Sequence, residues 1–161
     1  MCRVYLLLAP LVFAAAACAK HAPEPTPHPS TPHITWSIGE GFGGERNVCR
    51  STEGASCTLD MSGVAQNRRF GVFHLFLHGA SSDTKYKGTV DIGFLGQPGE
   101  REHTHPIERE ISRGSDPINF STTGIVKPAG TYYVDISLSA TPLSGSGPAV
   151  PIKEKIRVDV K

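Results

Sequence analysis

The chain has few of the features from which function is usually read. It contains no His-Glu-x-x-His, no Gly-x-Ser-x-Gly and no Cys-x-x-Cys. Zinc-peptidase, serine-hydrolase and dithiol chemistry therefore have no motif to rest on. Charge of one sign is also missing: 16 Lys and Arg stand against 15 Asp and Glu, a formal net charge of +1. That balance leaves no electrostatic footprint for nucleic acid and no polybasic patch for anionic lipid. No apolar run reaches the roughly 18 residues needed to span a bilayer as a helix. No stretch of helical period exceeds about two turns, which argues against helical bundles and doubly wound α/β folds.

What is present falls into three blocks. Residues 1–17 are apolar with one charge, Arg3. Residues 18–33 are rich in proline (Pro23, Pro25, Pro27, Pro29, Pro32) and poor in anything that fills a core. Residues 34–161 carry the aromatic and β-branched residues, and are long enough to bury a core without metals or dense disulfides. The middle block favours extended polyproline II, about 3.1 Å per residue, and reads as a spacer. Its histidines, His21, His28 and His33, read as polar spacers too.

The first block, Val4 to Ala17 behind Met-Cys-Arg, has the length and flanks of a signal-peptide core. Pro10 also argues against a permanent transmembrane helix. Ala15-Ala16-Ala17-Cys18 follows, and resembles the lipobox of bacterial lipoproteins. The resemblance implies cleavage before Cys18, a diacylglyceryl group on its thiol and acylation of the new amino group. Ala19, a residue other than Asp after that Cys, implies sorting to the outer membrane. Two or three acyl chains hold a protein on a bilayer where one would not, at ~0.8 kcal/mol per buried CH₂. The alternative on the same residues is plain secretion, with cleavage after Ala17-Cys18-Ala19.

Periodicity of two dominates the third block. Ile34, Trp36 and Ile38 alternate with Thr35 and Ser37. Phe70, Val72, His74 and Phe76 alternate with Phe73, Leu75 and Leu77, which predicts a central strand covered on both faces, or one passing an edge loop. Tyr86, Val90, Ile92 and Phe94 form a third series. Tyr132, Val134, Ile136 and Leu138 form a fourth, and Ile156, Val158 and Val160 a fifth. Turn residues separate these runs, as at Gly79–Asp83 and Arg113–Pro117. The expectation is an all-β antiparallel sandwich of seven to nine strands.

Lys127-Pro128-Ala129-Gly130-Thr131-Tyr132-Tyr133-Val134 resembles the approach to the penultimate strand of immunoglobulin-like domains. There a Gly turn precedes a Tyr whose hydroxyl closes a corner. The resemblance implies that role for Tyr132 and makes the terminal run Ile152–Lys161 the last strand. The buried-disulfide and Trp signature of antibody domains is absent.

Cys2 leaves with the signal and Cys18 is the lipidation candidate. Cys49 and Cys57 remain, an even number for an oxidising compartment. A hairpin folded about Glu53 would set them opposite one another as a cross-strand disulfide, worth about 2.5 kcal/mol. Gly39-Glu40-Gly41-Phe42-Gly43-Gly44 matches Gly-x-Gly-x-x-Gly but lacks the following helix that a dinucleotide site needs. Ser82-Asp83-Thr84-Lys85 matches Ser-x-x-Lys but sits in a turn, with no Lys-Thr-Gly after it. Asn119-Phe120-Ser121 has the form of a glycosylation sequon, which a bacterial host would not use.

His103 and His105, two apart on a strand, would share one face about 6.5–7 Å apart and are the candidate metal ligands. Glu100, Glu102 and Glu108 are nearby oxygen donors, and the alternative reading of Gly99–Arg113 is a solvated edge strand guarded by Pro106. His74 and His78 would lie ~13 Å apart on one strand, too far for one ion. Trp36, Tyr132 and Tyr133 are candidate stacking faces for a carbohydrate. The expectation that follows is a lipid-anchored, non-enzymatic envelope protein without cofactor or nucleic acid. Its sandwich would engage another envelope component; metal binding at His103 and His105, or carbohydrate binding, are the alternatives.

Overall fold

A computed structural model describes residues 31–40, 46–65, 71–94, 103–123, 129–144 and 147–161. The signal and lipobox residues, the linker up to Ser30, Gly41–Gly44, Glu100, Glu102, Lys127 and Pro128 lie outside them. The described residues form nine strands: β1 His33–Glu40, β2 Arg46–Arg50, β3 Ser56–Leu59, β4 Gly71–His78, β5 Thr84–Phe94, β6 His103–Ile111, β7 Ile118–Thr123, β8 Gly130–Pro142 and β9 Val150–Val160. Two sheets result, ordered β2-β1-β4-β7 and β3-β9-β8-β5-β6. All pairs are antiparallel except β3 with β9. This is an immunoglobulin-like β-sandwich, and no helix among the described residues is long and apolar enough to cross a membrane.

The alternating residues of the sequence become the core. Tyr132, Val134, Ile136, Leu138, Ile156, Val158 and Val160 are all buried, and β8 pairs with β9 through the connection at 143–149. They meet Trp36 and Ile38 of β1 and Phe73, Leu75 and Leu77 of β4 across the sandwich. Each such side chain contributes about 1.5–3 kcal/mol on burial. A one-residue slip of β8 would expose four of them at once, so the pattern fixes the register. β4 is an interior strand, flanked by β1 and β7, but its two-sided apolar run is not covered equally: Phe73, Leu75 and Leu77 are buried while His74, Phe76 and His78 are half-buried. The charged segment with Pro106 forms β6, the terminal strand of the larger sheet, where proline and charge discourage further pairing.

Polar ties join the two sheets. Tyr86, fully buried on β5, directs its hydroxyl at two backbone carbonyls of the other sheet, those of His33 (3.1 Å) and His78 (2.7 Å). Burial pushes this phenol up to about 12. Trp36 of β1 donates its indole N–H to Glu154 Oε2 of β9 at 2.8 Å.

The disulfide differs from the expected hairpin. Cys49 and Cys57 are bonded, with Cα atoms 5.6 Å apart. Yet β2 pairs with β1 while β3 pairs with β9, so the bond crosses between sheets. The intervening 3-10 turn, Ser51–Glu53, and Gly54, with φ 110°, carry the chain across. That backbone conformation is available to glycine at little cost. Hairpin symmetry about Glu53 therefore names the right cysteines although their strands join different sheets: Cys57 and Leu59 of β3 are buried beside Val158 and Val160 of β9.

Candidate functional site

Strand alternation that sends Ile34, Trp36 and Ile38 inward sends His33, Thr35 and Ser37 outward. The same rule turns His74, Phe76 and His78 of β4 outward, all half-buried, with Asn119 and Ser121 of β7 beside them. The outer face of the four-stranded sheet is thus a strip of rings flanked by hydroxyls and an amide. Part of it is concave: a depression of about 480 Å³ is lined by Thr35, Ser37, Val48, Arg50, His74, Phe76 and Asn119 among others. Arg50 is the one arginine, lysine or carboxylate residue in that lining.

Two imidazoles here meet hydroxyls. His74 Nδ1 lies 2.7 Å from Ser121 Oγ and 3.4 Å from Asn119 Nδ2, and Ser121 donates to Asn119 Oδ1 at 3.2 Å. These residue types invite comparison with a hydrolytic triad, but the geometry differs. In a triad the nucleophile and the orienting group hold opposite ring nitrogens, whereas Ser121 and Asn119 converge on the same one. The cluster is a hydrogen-bonding surface. His78 Nε2 lies 2.8 Å from Thr35 Oγ1, and its ring stacks on His33 with centroids 4.3 Å apart and planes 16° apart. Burial first, and then repulsion from His33, hold His78 below the ordinary imidazole range.

The outer face of the five-stranded sheet is built differently. Lys85 pairs with Glu108 at 2.6 Å and with Glu110 at 3.6 Å, and Lys155 with Asp135 at 3.3 Å. The hydrogen bond between Lys85 and Glu108 leads in holding the carboxyl below and the ammonium above their usual ranges. Tyr133 does face outward, half-buried, as expected. Its ring lies over Gly93, where a Cβ would come within 2.7 Å of the ring, and Lys155 Nζ sits 5.1 Å from its centroid.

The candidates from sequence are dispersed. His103 is exposed on β6, and His105 packs against Phe120, with Nε2 3.2 Å from Thr122 Oγ1. Glu108 is on the opposite face, paired with Lys85. No group of three or more metal-ligating side chains assembles among the described residues. Trp36 and Tyr132 are 2% and 5% exposed, so neither offers a stacking face to a carbohydrate; Tyr132 packs edge-on against Phe94 in the core. Residues 46–50, after the glycine-rich stretch, form a strand, so the helix of a dinucleotide site is absent there. Asp83 accepts from Arg113 N–H at 2.7 Å and Thr84 donates to the Ser82 carbonyl, so the Ser82–Lys85 segment serves as a turn.

Sequence reading missed the meeting of His33 with His78. By composition His33 falls in the spacer, but it is the first residue of β1 and lies directly opposite His78 in the ladder. The available signal was the outward parity that His33 shares with Thr35 and Ser37.

No protein-family model matches the chain, and no curated protein matches it in sequence. Among solved structures it is similar to the ASH / PapD-like domain of human CEP192 (PapD-like domain 7), at 12% identity and a TM-score of 0.41, over 98% of each chain. The immunoglobulin-like assignment here rests on strand order and core rather than on that likeness.

Proposed function

We propose that the chain is a lipid-anchored, non-enzymatic module of the bacterial cell envelope, held at the outer membrane through Cys18. Its β-sandwich binds another envelope component through the outer face of the four-stranded sheet. The observation that carries the binding role is the composition of that face. Half-buried Phe76 and His74 border a concavity with hydroxyl and amide groups around them, where a purely solvated sheet face would carry paired charges. The anchor rests on the sequence: an apolar run ending in Ala15-Ala16-Ala17-Cys18, then a proline-rich spacer.

Both parts are tested in the native host. An alkyne fatty acid should label the wild type and not Cys18→Ser; an unlabelled wild type leaves secretion as the reading. A photo-crosslinking residue in place of Phe76 should capture a discrete envelope partner that the same residue in place of Lys87 does not. Equal capture from both positions would remove the assigned face.

A further inference from the structure

We propose that His33 and His78 bind a borderline divalent transition-metal ion of the copper(II), nickel(II) or zinc(II) class. The two residues face each other directly across the β1–β4 ladder, and their rings stack at 4.3 Å between centroids. Imidazole nitrogens bind such ions at about 2.0–2.1 Å, so two donors on one ion lie roughly 3–4 Å apart. In the stack the ring planes are 16° apart, so their in-plane lone pairs run side by side; binding one ion requires the His33 ring to turn out of the stack about its side-chain torsions, with the backbone register unchanged.

The backbone is held in place for this. The carbonyls of His33 and His78 are the two that receive the buried Tyr86 hydroxyl, which pins both ligand-bearing residues from the far sheet. Thr35 Oγ1 occupies His78 Nε2, leaving Nδ1 as the donor atom. A hydrogen bond on the non-ligating nitrogen is how metal-binding histidines are commonly oriented. Water would complete the coordination, since His74 stands two pleats away on β4 and His103 and His105 belong to the other sheet. With imidazole donors, copper(II) should bind more tightly than nickel(II) or zinc(II).

The test is titration of the purified full chain with each of the three ions, followed by calorimetry and by imidazole NMR. One ion per chain is expected at this pair, with copper(II) broadening the ring signals of His33 and His78 before those of the other histidines. His33→Ala and His78→Ala should each weaken binding at least tenfold, while His74→Ala and His103→Ala leave it unchanged. Unbroadened His33 and His78 signals at saturating copper(II) would overturn the site. So would unchanged affinity in both alanine variants, which would place the ion on other histidines such as His21 and His28. The broadening is read on the wild type, so the test survives a variant that fails to fold.

Discussion

The two sheets share one core and turn different chemistry outward. On the five-stranded sheet, Lys85 meets Glu108 and Glu110, Lys155 meets Asp135, and Arg157 meets Asp159. On the four-stranded sheet, the equivalent outward positions carry His33, Thr35, Ser37, His74, Phe76 and His78. Exposed ion pairs contribute about 0–1 kcal/mol each; their main effect is to keep a face solvated. The half-buried rings still hold apolar area that a bound partner could take out of water. One face is laced with ion pairs, and the other is the face proposed above for recognition.

The largest expected effect tests the shared core beneath both faces. Val134→Asp puts a carboxylate with no counter-ion among Ile136, Ile156 and Val158, and should cost at least about 4 kcal/mol. Tyr133→Ser, one residue away and facing out, should cost under about 1.5 kcal/mol. Thermal melts of the pair check this, and equal small losses would break the sandwich register.

Next comes the covalent tie between the sheets. Cys49→Ser with Cys57→Ser should cost about 2.5 kcal/mol by the chain-entropy relation, read from denaturant midpoints. Intact mass after alkylation should reveal two thiols only on reduction.

Tyr86→Phe removes the hydrogen-bonded tie and should cost about 1–2 kcal/mol at pH 7. The same variant tests a pH dependence. The folded phenol is pushed up to about 12, while an unfolded tyrosine titrates near 10. The unfolded chain loses its proton first, so stability held below pH 10 is lost progressively between about 10 and 12, by roughly 2–3 kcal/mol. Denaturation curves from pH 8 to 11 should show that decline in the wild type and a flatter profile in Tyr86→Phe.

The smallest effect separates the two faces by salt. Lys85→Ala should lower the melting temperature least of these changes, and the loss should shrink in 1 M salt, where the Debye length is about 3 Å. Ser121→Ala, on the four-stranded sheet away from these ion pairs, should respond to salt far less. Equal salt sensitivity in the two variants would erase the distinction drawn between the faces.

Much of the fold was legible because period two is a local property. Val134 and Ile136 are two apart in sequence, and one pleat places both in the core whatever else the chain does. Short elements were harder. β2 and β3 have too few apolar residues to declare a sheet, so Cys49 and Cys57 suggested a hairpin where the chain crosses the sandwich. The candidate site was the least legible part. The run holding His74 and Phe76 reads as apolar on both faces, so its alternation does not say which face is outward, and the register with β1 that sets His33 against His78 is a long-range fact.

Composition and periodicity by themselves determined the class of the domain, its inward-facing residues, the cysteines that pair and the guarded character of β6. Each depends on neighbours within a few residues, or on counting. Only the tertiary structure decided which sheet each short strand joined, that Tyr86 ties two histidine carbonyls, and that His33 stands opposite His78. Those outcomes depend on contacts between residues tens of positions apart, fixed when two faces compete to bury the same apolar surface.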